Sequence, residues 1–77
     1  MDIKVLGTGC PKCKALEKAV HSSLTELKID ANVSKVEDIM QIMQYGVMRT
    51  PALVIDGKVV LSGRLPNDEE LKTLLTQ

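Results

Sequence analysis

Aromatic side chains are nearly missing from this chain: it has no Trp and no Phe, and Tyr45 is its one aromatic ring besides the imidazole of His21. A core built from it must be aliphatic. Net charge is missing too, because ten Lys and Arg balance ten Asp and Glu. The positive field that drives binding to nucleic acid or to anionic membranes is therefore absent, and neither is expected as a partner. No apolar run is long enough to span a bilayer. Met1 to Leu6 starts a strand pattern at once, without the basic segment and apolar stretch of a signal peptide, so a cytoplasmic location is expected. Cysteine is scarce, with only Cys10 and Cys13. A bond between them closes a tiny ring and removes little unfolded-chain entropy, which makes a structural staple the weaker explanation of the pair. The length of 77 residues suits one small domain, 1–77, expected to be a monomer.

What is present is a regular alternation of strand and helix signals. Ile3 to Leu6 reads as a short strand, and Gly7-Thr8-Gly9 as a loop able to bend at its glycines. Pro11 suits a first helical position, and Leu16, Ala19, Val20, Leu24 and Leu27 follow at helical spacing to about Lys28. Asn32 to Val36 alternates as a half-buried strand near an edge. Asp38 can cap a helix carrying Ile39, Met40, Ile42 and Met43, which Gly46 would end. Ala52 to Ile55 reads as a buried strand, Asp56-Gly57 as a two-residue hairpin, and Lys58 to Leu61 as its return. Asn67 or Asp68 opens a last helix with Leu71, Leu74 and Leu75 inward. The order is β-α-β-α-β-β-α. Helical crossovers favour parallel pairing and the hairpin requires antiparallel, so an α/β fold with a four-stranded mixed sheet and helices on both faces is expected.

The chemistry concentrates in Cys10-Pro11-Lys12-Cys13, at the junction of loop and helix. Positions i and i+3 on a first helical turn hold their Cα atoms roughly 5 to 6 Å apart, inside the window for a disulfide. Such a pair can carry electrons or hold a metal. Together with Thr50-Pro51 ahead of the third strand, and with the element order, the run Thr8-Gly9-Cys10-Pro11-Lys12-Cys13 resembles the thioredoxin superfamily, in particular its small glutaredoxin-like branch. The resemblance covers nearly the whole chain. It implies a thioredoxin-like fold, a thiol–disulfide oxidoreductase activity without a cofactor, and a cis peptide between Thr50 and Pro51 facing the disulfide. It also implies partners of two kinds: proteins bearing disulfides, and an upstream reductase or low-molecular-weight thiol.

Each residue has a physical reason for its part. A helix N-terminus favours an anion, so Cys10 is the expected nucleophile, while Cys13, one turn deeper, is suited to resolving the mixed disulfide. Lys12 adds positive potential near Cys10. Thr50, pushed toward extended geometry by Pro51, can offer its backbone to a bound segment. Gly63 resembles a family glycine that leaves room for a partner's backbone. The chain also departs from the family. Thr8 and Gly9 stand where thioredoxins have an aromatic rim, and Lys4 stands where they keep a buried acid, leaving water or another group such as Glu17 to move the resolving thiol's proton. Ser62-Gly63-Arg64 with Asn67-Asp68 loosely resembles the glutathione clamp of glutaredoxins.

Two other readings compete. A soft-metal carrier also uses a CxxC after a first strand, since thiolates suit Cu(I), but such domains run β-α-β-β-α-β and favour Met where this chain has Thr8. A redox-sensing docking module would use the same dithiol without turnover. His21, about 12 Å along the helix from Cys13, is out of reach of a shared metal, and no metal site is expected. Met40, Met43 and Met48 read as flexible core filling, and Tyr45 and Arg49 as residues bordering the site.

Overall fold

The computed structural model describes residues 1–9 and 11–76. Its elements are β1 (Asp2–Leu6), α1 (Pro11–Leu27), β2 (Asn32–Val36), α2 (Ile39–Gln44), β3 (Ala52–Ile55), β4 (Lys58–Ser62) and α3 (Asp68–Leu75). The four strands form one mixed sheet in the order β2-β1-β3-β4. β1 runs parallel to β2 and antiparallel to β3, and β3 runs antiparallel to β4.

The antiparallel β1–β3 pair departs from the expectation that a helical crossover brings parallel strands. Leu6 is paired with both Val36, the last residue of β2, and Ala52, the first of β3. The connection through α2 therefore begins and ends at one end of the sheet. A helix of six residues spans only about 9 Å and does not carry the chain back to the other end. α1, with 17 residues, does return the chain, and its two flanking strands are parallel.

Strand alternation sorts the core into two faces. Ile3 and Val5 join Leu16, Val20 and Leu24 of α1, Leu53, Leu61, and Leu71 and Leu75 of α3. On the opposite face Leu6, Ala52 and Val54 meet Ile42 of α2 and Val47. The architecture is thus the thioredoxin-like α/β arrangement, with α1 and α3 on one face and α2 on the other.

Local chemistry sets the element ends. The side chain of Asp38 accepts from the Met40 N–H and that of Asn67 from the Glu70 N–H, each satisfying a donor that the first helical turn leaves without a partner. α1 stops at Lys28, whose φ of 55° is left-handed, and the Ile29 N–H returns to the Leu24 carbonyl at 3.0 Å. No glycine marks that stop. Asp56 and Gly57, with φ of 50° and 82°, make the hairpin turn, and the Asp2 N–H donates to Asp56 Oδ1 at 2.8 Å. Between Leu53 and Val54 the β3–β4 register shifts, so that Leu53 faces Leu61 and Val54 faces Val59. No described helix is long and apolar enough to cross a membrane.

Candidate active site at the loop after the first strand

β1 ends at Leu6 and α1 begins at Pro11, so the site grows from the loop between them. Pro11 opens the helix, where its missing N–H costs nothing, and Pro11 and Lys12 are both exposed. The expected attacking thiol, Cys10, lies outside the described residues. Cys13 is buried in the first turn of α1 at 5% exposure. That turn carries no acidic side chain. Lys12 and Lys14 flank Cys13 in the sequence and are both exposed.

Gly7 is where the separated motifs meet. It is buried, its N–H donates to the Val36 carbonyl at 3.0 Å, and a Cβ placed on it would overlap Cys13 Sγ and stand 3.0 Å from Cys13 Cβ and 3.9 Å from Thr50 Cβ. Only a residue without a side chain lets α1 and the start of β3 come this close to β1. The sequence contains the glycine but not its reason, because a loop glycine is just as often there for a turn.

Thr50 is exposed and Pro51 buried, joined by a cis peptide. The Pro51 carbonyl accepts from the Gly63 N–H at 2.9 Å. Gly63 has a φ of 81°, and a Cβ there would lie 3.2 Å from Arg49 Cβ, so the aliphatic stem of Arg49 already covers this glycine. Arg64 donates to Glu70 through both terminal guanidinium nitrogens, one of them at 2.6 Å, and the Asn67 carbonyl oxygen caps α3. That hydrogen bond holds the Glu70 carboxyl below its ordinary range and the Arg64 guanidinium above its own. The stretch that resembles a glutathione clamp is committed to the protein's own fold.

Two expectations for the neighbouring segment are corrected. Met40, Met43 and Met48 are 67, 65 and 97% exposed and fill no core. α2 turns only Ile42 fully inward, so its thioethers fall on the outer side. Together with Thr8 and Thr50, the side chains of Ile39, Ile42, Met43, Val47 and Met48 line an open groove of about 350 Å³ that is mostly apolar. Tyr45 does not border this groove. As the residue closing α2 it turns to β1, where Lys4 Nζ donates to its hydroxyl at 3.1 Å and so holds the Lys4 proton more firmly than usual. Lys4 and Tyr45 line a separate cleft with Val36, Gln41 and Gln44.

On the α1 face, a cavity of about 220 Å³ is lined by Cys13, Val5, Gly7, Lys35 and Glu37 among others. Lys35 pairs with Val5 across the β1–β2 ladder and extends to Glu17 of α1, Nζ to Oε2 3.2 Å. His21 is exposed on the same helix. Among the described residues no His, Cys, Asp and Glu gather in threes as a metal site would need.

Comparison with known proteins gives this geometry its family. The sequence profile of the thioredoxin domain family matches residues 1–76. The chain is similar to a thioredoxin of Methanothermobacter thermautotrophicus, 38% identical over 76 residues that cover 99% of each protein. It is similar also to a thioredoxin of Methanocaldococcus jannaschii, 40% identical over 70 residues covering 91% of this chain and 80% of that one. A probable thioredoxin of Archaeoglobus fulgidus is 33% identical over 69 residues, 86% of this chain and 75% of its own length. The chain belongs to the thioredoxin family, whose common role is thiol–disulfide oxidoreduction on disulfide substrates, with a reductase.

Proposed function

We propose that this chain reduces or exchanges disulfides in partner proteins, with Cys10 as the attacking thiol and Cys13 as the resolving one. The observation that carries the reading is the convergence at Gly7, which sets Cys13 against the Thr50–Pro51 entry to β3. α1 begins one residue after Cys10 in the sequence, and the free N–H groups of a first helical turn stabilise an anion. A Cys10 thiolate attacks one sulfur of a partner's disulfide, forming a mixed disulfide and releasing a partner thiolate. The Cys13 sulfur then attacks Cys10 Sγ, closing the Cys10–Cys13 disulfide and releasing the second thiolate, so two electrons pass to the partner. A reductase or low-molecular-weight thiol returns the pair to the dithiol.

Thr50 offers exposed backbone to the partner's extended segment, and the apolar groove beside it seats side chains that flank the target cysteine. Lys12 adds positive potential, and Gly63 shapes the floor of the site with Pro51. The helix between the second and third strands argues against a soft-metal carrier, whose order is β-α-β-β-α-β. We place the protein in the cytoplasm as a single-domain monomer.

Trapping tests the assignment. Cys13→Ser is expected to accumulate mixed disulfides through Cys10 when offered a protein disulfide, seen as mass adducts that a reductant removes. Cys10→Ser is expected to lose reductase activity altogether. Full activity of Cys10→Ser, or no adduct with Cys13→Ser, would overturn the roles.

A further inference from the structure

Met48 is 97% exposed and Met43 65%, and both line the apolar groove of about 350 Å³ beside Thr8 and Thr50. Neither belongs to the buried core, so packing gives no reason for two thioethers at this place. An exposed thioether is open to oxidation, and the sulfoxide it becomes is polar and accepts hydrogen bonds. The other apolar side chains of the groove, Ile39, Ile42 and Val47, lack that chemistry. No charged side chain lines the groove, so the segment it fits is apolar. Met40 is as exposed as Met43, at 67%, yet does not line it. α2 thus carries one oxidisable side chain at the groove and one away from it.

We propose that Met43 and Met48 are modification sites, whose oxidation by a hydroperoxide closes the groove to partner proteins and leaves the dithiol chemistry intact. This rests on the groove seating apolar side chains that flank a target cysteine. In the step a lone pair of the thioether sulfur attacks one peroxide oxygen, the O–O bond breaks as the S–O bond forms, and the other oxygen leaves with the proton as water or an alcohol. Sulfur loses two electrons and the peroxide gains them. An apolar segment brings no donor to the new oxygen, so docking strands a shielded acceptor there. The dithiol and the thioethers also recover differently. Thiol exchange returns a disulfide to the dithiol, whereas a sulfoxide needs its own reductase, so an oxidised groove outlasts the peroxide.

The experiment first oxidises the dithiol to its disulfide, which spares the thiols, and then exposes the protein to hydrogen peroxide. Peptide mass analysis finds which methionines have gained one oxygen, and dithiothreitol, afterwards removed, restores the dithiol. Reduction of two probes is then followed: a synthetic peptide disulfide with Leu and Val flanking its cysteines, and hydroxyethyl disulfide. Peroxide is expected to raise the half-saturating concentration of the peptide about tenfold, the worth of a stranded acceptor, with the rate on hydroxyethyl disulfide unchanged. Met43→Leu with Met48→Leu should make the peptide reaction insensitive to peroxide, each sample being compared with its own untreated form, and Met40→Leu should leave the sensitivity in place. An unchanged peptide curve once Met43 and Met48 carry oxygen, protection by Met40→Leu, or equal loss on both probes would overturn the proposal. Failure of the untreated protein to reduce hydroxyethyl disulfide would instead overturn the oxidoreductase reading, so the two failures are distinct.

Discussion

On the face under α1 and α3, nine buried aliphatic side chains among the described residues close on one another, whereas on the α2 face five do, and large apolar side chains of the α2 segment remain in solvent. Both faces belong to one sheet with the same alternation, so the difference comes from what covers them. A 17-residue helix and an eight-residue helix cover one face, and a six-residue helix the other. The full face is closed apart from the cavity beside Cys13. The thin face leaves an apolar groove open beside Thr8 and Thr50, which is where the proposed function seats a partner chain.

The largest expected effect tests that contrast directly. Leu16→Ala, at a fully buried position of the closed face, should cost about 3–5 kcal/mol in urea unfolding, and Ile42→Ala on the thin face about 2, because the site there collapses more easily. Equal losses would break the comparison. Next comes the seam where both faces meet the site: Gly7→Ala should cost about 1–3 kcal/mol by overpacking and should also move the reduction potential of the dithiol, since the added methyl overlaps Cys13 Sγ. An unchanged potential in a thiol redox buffer would show that the close approach has no bearing on the chemistry. The smallest effect on stability, within about 0.5 kcal/mol, is expected for Met43→Gln on the exposed side of α2. Its consequence should fall on docking, raising KM for a protein disulfide about fourfold, the worth of roughly one buried methylene, with turnover of a small disulfide unchanged. A groove that matters would separate those two substrates.

Much of the fold is legible in the order of residues alone. Alternation in Asn32 to Val36, the Asp38 and Asn67 caps and the Asp56-Gly57 turn each act within a few residues, and each element forms where its local signal stands. The hydrophobic period places the stop of α1 at Lys28, although the left-handed residue there is one that no composition rule would select. What is not legible depends on distance. The methionines of α2 carry a helical spacing that fits a core, but a short helix with one inward residue turns them outward. Tyr45 stands close to Thr50 in sequence, yet its hydroxyl is held by Lys4 from another strand.

By itself the sequence determined the order of elements, an aliphatic core and a dithiol at a helix start, because hydrophobic period, turn residues and CxxC spacing are read over a few neighbouring positions. Only the tertiary structure decided that Gly7 makes room for Cys13 beside Thr50, that Arg49 covers Gly63, and that Lys35 pairs with Glu17 while Lys4 donates to Tyr45. Those relations join residues from different strands and helices, and the sheet's register and pleat, which choose the face each side chain takes, exist only once the strands have paired.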